Sequence, residues 1–252
     1  GNILTPGKGP GGNVLSEGMA NYSAALLVEK MRGAKTRRAL MTKFEREYVQ
    51  QRNPDRERPL HKVDGSRPGD NTLVYNRGGW VFFMLMEEMG RERMLKGLRE
   101  FILKFKDGPD FPLIEDMVES LRPHAADPQA FDTFVNQWLL GKVLPEFTLG
   151  AIRHEADSRG YHTVTGTITN TGTGTLRVDV TAIPPAGKDD ADSMDEQGEK
   201  PRAPGSQQTV TLGPGQTVPW KLATEFKPAE VVVDPDVKVL QMARKLAKAR
   251  VP

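Results

Sequence analysis

Few side chains in this sequence are able to do chemistry. No cysteine occurs among the 252 residues, so disulfides, thiolate nucleophiles, Cys-bound zinc and iron–sulfur clusters are excluded together. Any metal site must draw on carboxylates and on four histidines, His61, His124, His154 and His162. None of them forms H-E-x-x-H, in which one helical turn sets two imidazoles on one face around zinc. Glu155 follows His154, but His162 comes eight positions after His154, in a segment that reads as a strand and turn. That pair reads as surface histidines rather than a metal site. His61 reads as a solvated loop side chain rather than a substrate contact. Gly7-Lys8-Gly9 fails as a phosphate loop, which needs G-x-x-x-x-G-K-[ST] after a strand, and its glycines mark an irregular loop instead.

Two stretches carry more. In Asn13-Val-Leu-Ser-Glu-Gly-Met-Ala-Asn-Tyr22, Glu17 stands where a helix begins, and the positive end of the helix dipole is by itself a sufficient reason for a carboxylate. In Val74-Tyr75-Asn76-Arg77-Gly78-Gly79, taken alone, Tyr75 reads as a buried tyrosine at a helix start.

Taken together, the two stretches resemble the gluzincin aminopeptidases, the aminopeptidase-N type of zinc metallopeptidase. L-S-E-G-M-A-N-Y resembles that family's L-[NS]-E-G-x-A-x-Y, whose Glu is the third zinc ligand after H-E-x-x-H. Val74 to Gly79, with the apolar run from Trp80 to Met86 and then Gly90, resembles the family's Y-x-[KR]-G run, whose Tyr donates a hydrogen bond to the tetrahedral intermediate. Phe131-Asp-Thr-Phe134-Val-Asn-Gln-Trp138 resembles the run that closes the catalytic domain. The order is the family's, with Arg77 where Lys is commoner and Ser16 where Asn is commoner. The resemblance implies Glu17 as a metal ligand, Tyr75 as the catalytic oxyanion donor and Asn21, four residues after Glu17, as a side chain that hydrogen-bonds a histidine ligand.

It implies Zn2+ as the cofactor of the complete protein and a peptide as its substrate. One carboxylate is too few ligands for a catalytic zinc, so this chain by itself is expected to hold none tightly and to be inactive. It is expected to be the C-terminal part of such an enzyme, partnered by a segment carrying H-E-x-x-H. V-L-S-E resembles bacterial forms fused behind transporter permease segments, which implies the extracytoplasmic part of a membrane-associated protein. The alternative is a non-catalytic protein-interaction module derived from the same fold.

The elements that must position these residues are legible from hydrophobic period. Up to about Lys142 apolar residues recur at helical spacing. The spacing predicts a helix from Ser16, as N-cap, to Gly33, as the residue after its last turn, with Met19, Tyr22, Ala25, Leu26 and Leu27 along one stripe. A charged helix follows over 35–52. Three prolines and two glycines make 52–71 a long loop, and helices are expected over 72–89, 91–106, 113–121 and 128–140. After Pro145 the period becomes 2, in Val164/Ile168, Leu176/Val178/Val180, Val210/Leu212, Val218/Trp220/Leu222 and Val231/Val233.

The expected fold is therefore α+β, a helical subdomain of thermolysin-like type over 1–145 followed by a small antiparallel β-sandwich, immunoglobulin-like in broad class, over 146–235. Asn170 to Gly174 is expected to close a hairpin, Phe226 to Asp236 resembles the last strand of the family's β-domain, and 236–252 is expected to be a basic helix or tail. Pro184 to Ser206, nearly free of apolar residues, reads as a mobile loop. With 35 basic against 33 acidic side chains there is no excess of cations for nucleic acid, and no apolar run approaches the ~20 residues of a membrane span.

Overall fold

The computed structural model describes residues 5–7, 9–108, 111–185 and 203–252. The chain forms two compact units, one of 1–31 and 36–142, the other of 143–252 together with Arg32–Lys35. The first is helical and the second is built of antiparallel sheets, so the α+β class is as expected. Most of Pro184 to Ser206, expected as a mobile loop, lies outside the described residues.

In the first unit the chain enters a π-helical turn, Val14–Gly18, that runs straight into α1, Met19–Gln51. Ser16 is thus inside the helix rather than at its cap, and its hydroxyl bonds back to the Asn13 carbonyl at 3.2 Å. Gly33 does end the first half of α1: at φ 77° it takes a backbone conformation costly for any other residue, and the axis breaks there into the two predicted helices. Val14, Leu15, Tyr22 and Ala25 form the buried stripe, whereas Leu27 is exposed.

A second π-helical turn, Thr72–Arg77, leads into α2, Gly78–Met89, which is apolar almost all round because it is buried on every side. Gly90, at φ 83°, separates it from α3, Arg91–Phe105. Next come α4, Ile114–Leu121, and α5, Pro128–Trp138. Asp127 caps α5, its Oδ1 accepting from the amides of Gln129 and Ala130 at 2.9 and 3.0 Å.

Among the described residues the second unit holds seven strands in two sheets. One has the order β1 (Phe147–Ala156), β2 (His162–Asn170), β5 (Thr217–Thr224); the other β4 (Gln207–Leu212), β3 (Leu176–Ile183), β6 (Glu230–Val233), β7 (Lys248–Arg250). All pairs are antiparallel, and alternate residues such as Val164, Ile168, Val178, Val180, Trp220 and Leu222 are buried.

Three expectations are corrected here. Asn170 to Gly174 does not close a hairpin, because β2 and β3 belong to different sheets. Asn170 is buried and its amide organises the crossing: Nδ2 donates to the Gly174 carbonyl at 2.9 Å and Oδ1 accepts from the Gly172 amide at 3.0 Å. The basic helix over 236–252 is absent; its place is taken by a short 3-10 turn, Arg244–Leu246, and by β7, so β6 is not the last strand. The reason is Asp234, whose buried carboxylate takes the Lys238 and Val239 amides at 2.8 and 2.9 Å and Arg244 Nη1 at 3.1 Å. Bonds to these groups hold the backbone in a loop, where a helix would have used the same amides itself.

Candidate functional site

Glu17 and Tyr75, 58 positions apart in sequence, lie in the two π-helical turns. A π turn carries one residue more than an α turn, re-aims the side chains after it and recurs at functional sites. The two turns meet backbone to backbone. A Cβ placed on Gly18 would lie 3.1 Å from the Gly78 carbonyl carbon, and one on Gly78 would lie 3.3 Å from the Gly18 Cα and 3.1 Å from Val14 Cγ1. A Cβ at either position would press on its neighbours by a few tenths of an ångström, so glycine at both lets the turns meet this closely.

This close approach joins the residues singled out in the sequence. The Tyr75 hydroxyl lies close enough to the half-buried Glu17 carboxylate to feel its charge. Asn21 Nδ2 donates to the Tyr75 carbonyl at 2.9 Å. Asn21 is therefore engaged through Nδ2 by the Tyr75 backbone. Tyr75 is 40% exposed and so is not the buried tyrosine its position alone suggested. Partial burial, and then the adjoining carboxylate, hold its hydroxyl above the ordinary tyrosine range. At neutral pH the hydroxyl keeps its proton and presents a donor at an accessible surface.

A second group of residues, not singled out in the sequence, lies under the same turn. Arg77, fully buried, gives Nη1 to the Tyr48 hydroxyl and to Glu57 Oε1, each at 2.9 Å. The Tyr48 hydroxyl itself donates to Glu57 Oε1, and Arg52 Nε takes the other carboxylate oxygen at 2.7 Å. Burial pushes the Tyr48 hydroxyl up to about 12, so it stays a donor. Asn76, between Tyr75 and Arg77, reaches Glu47 Oε2 at 3.0 Å.

Glu57 belongs to the long loop over 52–71, which folds around charges: Arg58 grips Asp70 through two bonds of 2.7 Å. The loop also holds the segment before Glu17, since Asn13 Nδ2 donates to the Asp64 carbonyl at 2.8 Å and the Gly11 amide to the Val63 carbonyl at 2.7 Å. His61 in this loop turns to the Leu139 carbonyl, with Nδ1 at 3.1 Å.

The other histidines lie elsewhere. His124 pairs with Glu100 at 2.8 Å. His154 and His162, in the β-unit, touch through Nε2 and Nδ1 at 2.9 Å with ring centroids 5.1 Å apart. Those two distances set the nitrogens nearly on the line between the rings, the geometry of an N–H···N hydrogen bond rather than of two lone pairs converging on a metal. Among the described residues no three His, Asp or Glu side chains gather into a metal-binding group, and no helix is long and apolar enough to cross a membrane.

Fold and site thus define an α+β chain in which a carboxylate and a tyrosine are brought near each other at a glycine contact between two π turns. No known family profile matches the sequence, and no curated protein matches it significantly.

Proposed function

We propose that this chain supplies the carboxylate ligand and the oxyanion donor of a zinc-dependent metallopeptidase of aminopeptidase-N type, as its C-terminal part. The observation that supports this reading is the close meeting, held by the Asn21 bond to the Tyr75 carbonyl, of the turns that carry Glu17 and Tyr75, two residues far apart in sequence to which the resemblance gives roles in one reaction. A side chain 40% exposed at such a contact can reach a bound molecule, which a purely structural tyrosine would not need to do.

The described residues do not by themselves fit a catalytic zinc, which takes three protein ligands, because Glu17 has no histidine partners among them. Two histidines of an H-E-x-x-H segment would be needed to finish the set, and a zinc so held would supply a Lewis acid for the scissile carbonyl and an activated water. On this reading Glu17 would be one ligand of the metal, Asn21 fixes the Tyr75 backbone, and Tyr75 holds a proton on an oxygen that can donate to an oxyanion.

The test is zinc analysis and peptidase assay of the full-length protein beside its Glu17→Gln variant. The reading expects one zinc per chain in the parent and loss of both metal and activity in the variant. A variant that keeps one tightly bound zinc and full activity would overturn it. A full-length protein whose upstream segment has other residues in place of the two histidines would support the non-catalytic module instead.

A further inference from the structure

We infer that the outer face of the sheet β1-β2-β5 carries a binding site for a small hydroxylated ligand with one anionic group, a carboxylate or a phosphate, held in the hollow between Arg153 and Lys221. The site lies wholly in the β-unit and is independent of the function proposed above.

Strand register builds it. Arg153 of β1 and Lys221 of β5 each stand opposite Thr165 of the central strand β2, so the three residues form one row across the sheet. Neighbouring strands lie about 4.8 Å apart, which sets the two cationic residues roughly 10 Å from each other at their Cα atoms with a threonine between them. The next row on the same face, Gly150, Thr167 and Pro219, is made of small or short residues. Over these rows opens a hollow of about 450 Å³, which falls within the roughly 300 to 1,000 Å³ of small-molecule sites.

The backbone is shaped around the hollow. Ala151 and Ile152 both stand opposite the single residue Gly166, a β-bulge, and Ala151, which lines the hollow, takes φ 51°, a costly conformation for a residue with a side chain. Bulges recur beside binding and active sites, where they re-aim side chains. Gly166 and Trp220 contribute to the floor, and a side chain on Gly166 would run into the indole ring. The indole Nε1 is buried and has no acceptor among the described residues, which is uncommon in a core kept for packing alone.

The polar groups around the hollow are uncommitted. Neither Arg153 nor Lys221 is paired with an acid among the described residues, and the Thr165 and Thr167 hydroxyls bond to nothing there, whereas Thr169 and Thr217, one row further on, bond each other at 2.8 Å. Gln208 enters from β4 with its Oε1 fixed by the Lys221 amide at 2.8 Å, which leaves its side-chain nitrogen to donate. The acid on this face of β1, Glu155, stands a row away, opposite Thr163. Two cations without a countercharge suit one carboxylate or phosphate, and the hydroxyls and the amide suit neighbouring hydroxyl groups of the same molecule.

The test is an NMR titration of the 252-residue chain that follows the Trp220 indole N–H, assigned as the resonance lost in Trp220→Phe, and the amides of Thr165 and Thr167. The probes are glucuronate, glucose 6-phosphate and glucose, which share a ring and differ in the charged group. Saturable shifts in the millimolar range are expected with glucuronate, with glucose 6-phosphate or with both, and none with glucose. The probe that saturates names the anion, and either one supports the site. Arg153→Gln and Lys221→Gln should each raise Kd about tenfold, with the rest of the amide spectrum unchanged. Lys248→Gln, which removes a cation from the other sheet, should leave Kd within about twofold. Should Arg153→Gln disturb the bulge, Lys221→Gln gives the same reading from the opposite strand. No saturable shift with either anion, an equal response to glucose, or a loss in Lys248→Gln as large as in Lys221→Gln overturns the inference.

Discussion

Replacing Gly79 by Ala probes the contact on which the site depends. Gly79 lies in the first turn of α2, in ordinary helical conformation, so the substitution strains no backbone angle and gains helix propensity of ~1 kcal/mol. Against this, the new Cβ would stand 2.7 Å from the Asn21 Cβ, an atom fixed to the backbone of α1. Carbon atoms rest at about 3.5 to 4.0 Å, so the helices must part by close to 1 Å. Overpacking of that kind costs about 1 to 3 kcal/mol, which against that gain leaves a net loss of up to about 2 kcal/mol. In a unit of this size the Tm should fall by up to roughly 8 °C.

Gly97→Ala supplies the control. Its Cβ would come equally near, 2.7 Å, but to Leu121 Cδ2 and, at 2.9 Å, to a ring carbon of His124, both ends of side chains that can turn aside. Gly97→Ala should therefore lie within about 0.5 kcal/mol of the parent. Denaturant unfolding of the three proteins measures the difference. Equal stabilities for the two variants, or a Gly79→Ala protein more stable than the parent, would refute the reasoning, because both variants gain the same propensity and differ only in what the methyl meets.

Two further outcomes follow from buried groups. Burial pushes the hydroxyls of Tyr22 and Tyr48 from 10.0 up to about 12, so the stability they contribute is whole below pH 10 and is lost as the pH rises through about 12. Denaturant midpoints should fall across that window, and Tyr48→Phe should fall less steeply, by up to about 1.4 kcal/mol per pH unit; parallel slopes would show that Tyr48 does not titrate as described. In the β-unit, Asp234→Asn weakens the buried acceptor of the Lys238 and Val239 amides and removes its charge from the pair with the partly exposed Arg244, and should cost about 1 to 3 kcal/mol. Hydrogen exchange should show the Lys238 and Val239 amides losing protection while the helical unit is unaffected, and retained protection there would contradict the role given to Asp234 in shaping the C-terminal segment.

The helices and most strands were legible because their cause is local. Period, glycine and proline place α2 to α5 within a few residues, and alternation places β2 to β6. Motif resemblance singles out Glu17 and Tyr75 one by one; that their turns adjoin is not legible in the sequence, because their spacing says nothing about it. Nothing in the letters announces the π turns, which arise where Gly18, Gly78 and Gly79 allow two backbones to touch, a tertiary cause. Glu57 escaped notice for a related reason. It stands in the run R-N-P-D-R-E-R-P, where every charge looks solvated, and only the buried Arg77 above it makes it different. The available signal was an arginine directly before a buried glycine pair and an apolar helix, a cation in need of an acid. Asn170 and Asp234 misled the reading in the same way: each is a polar residue whose side chain captures the backbone, and whether it does so depends on burial that composition does not reveal.

The central claim is that Tyr75 donates to a developing oxyanion while Glu17 belongs to the metal. The measurement that separates these roles is kcat, KM and zinc content of full-length Tyr75→Phe. The account predicts one zinc per chain as in the parent, KM little changed, and kcat lower by about 10²- to 10³-fold, the usual loss for one oxyanion donor. A Tyr75→Phe protein with the kcat of its parent would contradict it.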